Sequence, residues 1–184
     1  MPAPTDLRGT EAPQLRGKEA ESYTTRFGSL DGFERGGVEI INDDPRHYAF
    51  SNVFAVASSA KPYEKVAVGK NMEYVLEAVR AEGVSSWRTC AHDEFALVLD
   101  GAVEIKLVKL AEPVLPADAS GSVEVSGEPD GTYMGRIVAR RGHQVLLPAG
   151  AAYRFFAEQP GVILMQTIAG PDTVYRWAEI CQSL

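Results

Sequence analysis

The sequence predicts a mainly β fold, a sandwich or barrel of short strands with a few short helices and an extended N-terminal arm. Short β-type segments follow one another at regular spacing between residues 87 and 170, with turn signals between them. The dipeptide Asp100-Gly101 separates two apolar runs, which is a strong hairpin signal. Residues 1–20 hold too few apolar side chains to be fixed by packing. We therefore expect an arm over residues 1–20 and one domain over residues 21–184.

The composition fits a globular domain and excludes two classes of partner. The chain has 184 residues, of which 45% are hydrophobic and 23% are charged, so it can bury a core. Its 25 acidic residues outnumber 18 basic ones, giving a net charge of -7. A nucleic-acid or anionic-membrane footprint needs a basic face, so we expect no nucleic-acid partner and no membrane partner. The absence of a secretion signal predicts a cytoplasmic protein with Cys90 and Cys181 reduced.

The first half of the chain predicts three strands and one helix. The strands are indicated by β-branched and aromatic residues between turn signals, at residues 22–27, 38–41 and 48–57. The helix is predicted over residues 71–82, where apolar residues recur at i, i+3, i+4 and i+7 from Met72. Asn71 is a suitable N-cap, and Gly83 supplies a C-terminal stop.

The second half predicts a succession of strands that ends in a short helix. A loop over residues 112–131 is rich in Pro, Gly and acidic residues. Residues 172–181 place Val174, Trp177 and Ile180 on one helical face. The predicted strands are residues 95–99, 103–110, 123–125, 136–140, 143–147, 153–156 and 162–168.

Two segments carry motifs more specific than a generic barrel. Glu94 lies seven residues before the hairpin glycine Gly101, and Gly142, Pro148 and Gly150 have the spacing Gly-x5-Pro-x-Gly. Together they resemble the two motifs of the cupin superfamily over about residues 85–169. The resemblance implies a cupin-type double-stranded β-helix, or jelly-roll, barrel.

The histidines of the cupin metal site are missing from the matched positions. Metal-binding cupins hold their ion with imidazole nitrogens and one carboxylate. Here the histidine positions fall on Arg88, Cys90 and Tyr153, so Glu94 alone remains of the usual four ligands. The resemblance therefore implies no catalytic residue and no metal ligand in this chain. It leaves a lumen, with a possible ligand-binding role, at Arg88, Cys90, His92, Glu94 and Tyr153.

Three interpretations of these lumen residues stay open. Alternation along one strand places Cys90, His92 and Glu94 on the same side, so a rearranged metal site is conceivable. However, residues two apart on a strand are spread by ~6–7 Å, which suits a single ion poorly. In the second interpretation Glu94 pairs with Arg88 or accepts a hydrogen bond from Tyr153, without metal. In the third, the lumen binds a small polar ligand.

One family resembles the chain beyond these motifs. Residues 61–83, followed by 91–95, and the earlier segment 43–48 are similar to the small subunit of two-component hydroquinone 1,2-dioxygenases. This resemblance implies a larger cupin-like partner that carries Fe(II), in an α2β2 assembly with two copies of each chain. It implies cleavage of hydroquinone by dioxygen to 4-hydroxymuconic semialdehyde, with no cofactor in this chain and the aromatic substrate bound through the complex.

Two other functions remain alternatives on the sequence alone. The first is a self-sufficient cupin dioxygenase or isomerase with an atypical metal site on Cys90, His92 and Glu94. The second is a non-catalytic cupin that binds a small molecule. About one tightly held metal ion per chain would favour the self-sufficient enzyme over the subunit interpretation. A large-subunit gene beside this one would favour the subunit interpretation over the non-catalytic cupin.

Overall fold

The computed structural model describes residues 28–33, 42 and 51–180, and in this part of the chain it is mainly β. The predicted cupin-type barrel with few helices is confirmed. The arm over residues 1–20 and the strands predicted over 22–27 and 38–41 lie outside the described residues. The elements are α1 Val53–Ser59, β1 Lys65–Asn71, β2 Tyr74–Val84, β3 Trp87–Cys90, β4 Glu94–Asp100, β5 Ala102–Leu110, β6 Ser122–Val125, β7 Gly131–Arg140, β8 Gln144–Leu147, β9 Ala151–Ile168, β10 Thr173–Val174 and α2 Trp177–Ile180.

Strand β9 organises the sheet because it is long enough to pair with four other strands. Its first half lies between β5 and β3, and its second half lies between β2 and β4. The remaining strands extend the curled sheet from these four: β1 and β10 beyond β2, β6 beyond β3, β8 beyond β4 and β7 beyond β5. Alternate residues point inward and form the main core, which includes Val98, Ile105, Leu147, Phe155, Ile163 and Met165.

The hairpin predicted at Asp100-Gly101 is confirmed. Strand β4 ends at Asp100 and β5 begins at Ala102, so Gly101 makes the turn with φ 77°. A Cβ atom at Gly101 would lie 3.1 Å from the backbone of Gly161. Both the left-handed conformation and this close approach favour glycine, which is why the local signal was reliable.

The helix predicted over residues 71–82 is wrong, because this segment forms the turn and most of the second strand of the β1–β2 hairpin. Asn71 pairs with Tyr74 across the turn. In β2 the inward residues Val75 and Val79 are buried, while Ala78, on the opposite face, is buried against α1. With apolar residues on both faces of the strand, their spacing matches a helical period by coincidence.

Two other predicted elements differ from the structure. The strand predicted over residues 48–57 is wrong where it is described, since α1 begins at Val53 and the side chain of Asn52 caps it by accepting from the backbone N–H of Phe54 at 3.0 Å. The helix predicted over residues 172–181 is confirmed only at Trp177–Ile180. Thr173 and Val174 instead pair in parallel with β1.

Two expectations about location and cysteine chemistry are tested only in part. None of the helices in the described ranges has the length and apolar character needed to cross a membrane. Cys90 is a free, buried thiol, whereas Cys181 lies outside the described residues. The cytoplasmic location and the boundary at residue 20 stay predictions.

Candidate functional site

The ends of several strands bring polar side chains together inside the barrel. Glu94, the first residue of β4, is fully buried, and Tyr153 of β9 is 1% exposed. The Tyr153 hydroxyl donates a hydrogen bond of 2.6 Å to Glu94 Oε2. Burial and the neighbouring Glu94 carboxylate raise the pKa of Tyr153 well above its usual value. Tyr153 is therefore a phenol that donates to a buried carboxylate.

Lys65 of β1 lies at the centre of this group, and sequence reasoning did not identify it. Its side chain is 4% exposed. Its Nζ atom is 2.5 Å from Ser122 Oγ and 3.4 Å from the Tyr153 hydroxyl. The same Nζ is 3.6 Å from Glu94 Oε1 and 3.9 Å from Glu77 Oε2. We call Lys65, Glu77, Glu94, Ser122 and Tyr153 the Lys65 cluster.

Glu77 of β2 completes the cluster and was also missed. Its Oε1 atom accepts a hydrogen bond of 2.6 Å from the Thr173 hydroxyl. Its Oε2 atom, like Oε1 of Glu94, is buried and has no hydrogen-bond partner among the described residues. Burial raises the pKa of Glu77, and the positive charge of Lys65 partly opposes this shift. Two buried carboxylates thus share one ammonium group.

Arg88 lies near the cluster but serves another partner. The residue is in β3, where it is in register with Tyr153 of β9. Its guanidinium forms an ion pair with the carboxylate of Asp172. Of the two partners predicted for Glu94, the structure therefore shows Tyr153 and not Arg88.

Cys90 and His92 lie at a break between two strands. Strand β3 ends at Cys90 and β4 begins at Glu94, so the uninterrupted strand assumed for these residues does not form. The possible ligand atoms of Cys90, His92 and Glu94 all lie within 4.8 Å of one another. The predicted wide spacing of the three side chains is therefore wrong, and whether they suit a metal depends on their orientation.

In this conformation the Cys90 thiol and the His92 ring are not oriented to bind the same metal ion. Cys90 Sγ is 3.1 Å from Nδ1 and 3.3 Å from Nε2 of His92, so the sulfur lies over the ring face. A metal bound to imidazole lies in the ring plane instead. The Nε2 lone pair already accepts from the backbone N–H of Ile168 at 3.1 Å. Burial raises the pKa of the Cys90 thiol to about 11, with a smaller contribution from the Glu94 carboxylate.

The missed residues had a weak sequence signal. Lys65 begins a strand whose next residues, Val66 and Ala67, are fully buried. Had residues 74–84 been assigned to a strand, the alternation of Val75, Glu77 and Val79 would have placed Glu77 inward. The helix assignment hid this pattern.

The outer surface of the same sheet carries exposed apolar residues in one row. Leu76, Gln166, Phe95 and Leu146 are in register across β2, β9, β4 and β8. Leu76 is 40% exposed, Phe95 36% and Leu146 44%. We call these four residues the outer row. A shallow cavity of about 250 Å³ beside it is lined by Tyr74, His92, Asp93, Phe95, Gln166, Thr167 and Ile168.

Solved structures identify the relatives of this chain, although no protein-family model and no curated protein matches it. The chain is similar to one in the crystal structure of hydroquinone 1,2-dioxygenase from Sphingomonas sp. TTNP3 with 4-hydroxybenzoate bound. Identity is 57%, with a TM-score of 0.83, over 88% of this chain and 98% of that one. It is also similar to one in hydroquinone 1,2-dioxygenase PnpCD in complex with Cd²⁺ and 4-hydroxybenzonitrile. There identity is 54%, with a TM-score of 0.82, over 89% and 99% of the two chains.

A more distant match shares the fold alone. It is to a chain in the structure of hydroquinone 1,2-dioxygenase PnpCD in complex with Fe³⁺, at 10% identity and a TM-score of 0.57. The match covers 78% of this chain but 40% of that one. Structures named for the same enzyme therefore contain a chain of similar length to this one and a longer chain of related fold.

Proposed function

Because the chain belongs to the hydroquinone 1,2-dioxygenases, a family of ring-cleaving dioxygenases, we propose that it is the small, metal-free subunit of such an enzyme. The observation that carries the proposal is the identity of 54–57% over nearly the full length of chains from two hydroquinone 1,2-dioxygenase structures. The substrate proposed for the complex is hydroquinone, and the product is 4-hydroxymuconic semialdehyde.

The partner proposed for this chain is a larger cupin-like subunit, with two copies of each chain in the assembly. Support comes from the longer chain of related fold in the PnpCD structure, of which this chain covers 40%. The outer row supplies a second argument, since three of its four strands carry an exposed apolar side chain in register, and such a patch is typical of a protein interface. A partner that covers Leu76, Phe95 and Leu146 would remove this apolar surface from water.

Fe(II) is proposed to reside in the larger subunit, where it would supply the activation of dioxygen for ring cleavage. Two features of this chain support that division. The Lys65 cluster already places a positive charge beside Glu94, the only remaining residue of the usual cupin ligand set. The ring face of His92, rather than a free in-plane lone pair, is turned to Cys90.

The contribution of this chain to catalysis is then structural and lies at its outer surface. Ring cleavage needs a site from which bulk water is excluded, so that the aromatic substrate and dioxygen react without side reactions. A rigid barrel packed against the larger subunit would close one side of such a site. The hydrogen-bonded Lys65 cluster would keep that barrel in a single conformation.

Separate and combined subunits test the proposed function. The full chain, the larger cupin-like chain of the same organism and an equimolar mixture would each be loaded anaerobically with Fe(II) and mixed with hydroquinone and dioxygen. We expect ring cleavage, followed by oxygen uptake and product absorbance, to be highest in the mixture. We expect none with this chain alone. Ring cleavage by the isolated chain would contradict the proposal and favour the self-sufficient enzyme.

A further inference from the structure

The Lys65 cluster has the composition of a cation site. Four oxygen atoms lie within 2.5 to 3.9 Å of Lys65 Nζ. They come from β2, β4, β6 and β9, whereas the lysine comes from β1. None of the five residues is more than 4% exposed. The side chains of five separate strands therefore form an oxygen-lined cage around one positive charge.

Two of these oxygen atoms are oriented toward the cage without completing a hydrogen bond. Glu77 Oε2 and Glu94 Oε1 are buried and unpartnered among the described residues, and both face Lys65 Nζ. Their distances of 3.9 and 3.6 Å exceed that of an ordinary N–H···O hydrogen bond. The interaction of these two carboxylate oxygens with the Lys65 ammonium group is therefore charge attraction, which does not depend on the directions of the N–H bonds.

We propose that the barrel interior is a cation site filled by the chain's own Lys65 ammonium group, and that removal of this side chain opens the site to a hard divalent metal ion. Carboxylate and hydroxyl oxygens are the ligands preferred by Mg²⁺, Ca²⁺ and Mn²⁺. The cage offers two carboxylates and two hydroxyls and no nitrogen or sulfur. A divalent ion would also balance both carboxylates, which a single ammonium group does not.

The inference does not rest on the proposed function, because it concerns this chain alone and needs no ring cleavage. It also differs from a site on Cys90, His92 and Glu94. That group would need a thiolate and an in-plane imidazole nitrogen, whereas the cage uses Glu77, Ser122 and Tyr153 with Glu94. The two sites share one residue, so substitutions at the others distinguish them.

The test is Mn²⁺ binding by the full chain carrying Lys65→Ala, compared with the unsubstituted chain. Bound Mn²⁺ is counted from the loss of the free-ion signal in electron paramagnetic resonance, and thermal unfolding is followed in parallel. At about 100 times its Kd, Mn²⁺ is expected to raise the Tm of Lys65→Ala by roughly 5 to 10 °C. Neither the unsubstituted chain nor the control Lys70→Ala, which removes an exposed lysine of the same strand, should show this shift.

Double variants locate the bound ion. Adding Glu77→Gln or Glu94→Gln to Lys65→Ala should abolish the Mn²⁺-dependent shift, whereas adding Cys90→Ser should leave it. A folded Lys65→Ala chain that binds no Mn²⁺ would overturn the proposal. Loss of binding with Cys90→Ser but not with Glu77→Gln would also overturn it, because the ion would then lie at the cysteine and histidine.

A second measurement covers the case in which Lys65→Ala is unfolded even with Mn²⁺. In the unsubstituted chain, Lys65 should give a side-chain NH₃⁺ resonance that exchanges slowly with water, because Ser122 and Tyr153 accept from it and the site is buried. Glu77→Gln and Glu94→Gln should each shift that resonance. Absence of a protected resonance assigned to Lys65 would overturn the occupied cation site.

Discussion

The barrel interior contains more polar groups than the core of an ordinary globular protein, whereas part of its outer surface is more apolar than usual. Inside, the Lys65 cluster buries three ionisable groups and a tyrosine hydroxyl at 4% exposure or less. Outside, Leu76, Phe95 and Leu146 of the outer row remain 36–44% exposed. Buried polar residues and exposed apolar patches are the two informative departures from the usual pattern. The interior places one ammonium group beside two carboxylates, whereas the outer row leaves apolar side chains exposed in the part of the chain that the structure describes.

Removing the central charge should have the largest effect on the interior. Lys65→Met leaves Glu77 and Glu94 buried without a counterion, so we expect the free energy of unfolding to fall by about 3–5 kcal/mol at neutral pH. Urea denaturation followed by circular dichroism measures this loss. The control is Lys70→Met, where the exposed lysine contributes little. Equal losses in the two variants would show that the cluster does not stabilise the barrel.

A smaller loss is expected when one hydrogen bond of the cluster is removed. Tyr153→Phe deletes the hydroxyl that donates to Glu94 at 2.6 Å and leaves the ring in place. We expect the free energy of unfolding to fall by about 1.5–3 kcal/mol, because the lost bond is to a charged group. Tyr133→Phe is the matched control, since Tyr133 is 60% exposed. An unchanged stability of Tyr153→Phe would contradict the role given to the hydroxyl.

Substitutions in the outer row should weaken the binding of the larger subunit without lowering the free energy of unfolding of the isolated chain. Phe95→Ser and Leu146→Ser are each expected to weaken binding of the larger subunit by about 1–2 kcal/mol, or roughly 5- to 30-fold in Kd. Isothermal titration calorimetry measures the affinity, and urea denaturation of the isolated chain checks that its fold is retained. Val114→Ser replaces a residue that is 50% exposed on a loop, away from the row, and serves as the control. Full affinity in both row variants would place the interface elsewhere.

The smallest predicted effect is a change in how stability depends on pH. Because the pKa of Glu77 is raised in the folded chain, the folded state holds this proton more tightly than the unfolded state does. The contribution of Glu77 to stability therefore falls as pH rises above the ordinary value of 4.5. Glu77→Gln should remove this decline and gain stability relative to the unsubstituted chain between acid and neutral pH. Exposed Glu158→Gln is the control, and an identical decline in both variants would contradict the assignment.

Features with a local sequence signal could be predicted. The hairpin at Asp100-Gly101 follows from turn chemistry, and most strands of the second half follow from short β-type runs between turns. The runs predicted as two strands over 153–156 and 162–168 instead form one continuous strand, β9. Tyr153 was one of the two partners expected for Glu94, because both residues occupy motif positions. These predictions depended on a few neighbouring residues or on a motif of fixed spacing.

The centre of the interior had no comparable signal. Lys65 bonds to Ser122 and Tyr153, which are 57 and 88 residues away in the sequence. No local sequence pattern predicts contacts between residues so far apart in the sequence, and a lysine in a strand is usually exposed. Glu77 was hidden for a different reason, since Val75 and Val79 were assigned to a helix on a coincidental period. Tertiary packing on both faces of β2 outweighed the local pattern.

The central claim is that this chain holds no iron in its interior and binds a larger subunit through its outer surface. The most direct test is the native mass of the chain co-expressed with its larger partner. One spectrum gives both the subunit composition and the number of bound iron ions. We expect two copies of each chain, with iron lost together with the larger subunit when the complex is dissociated and this chain, of 19.9 kDa, released without metal. A partner-free oligomer of this chain that retains iron would contradict the account.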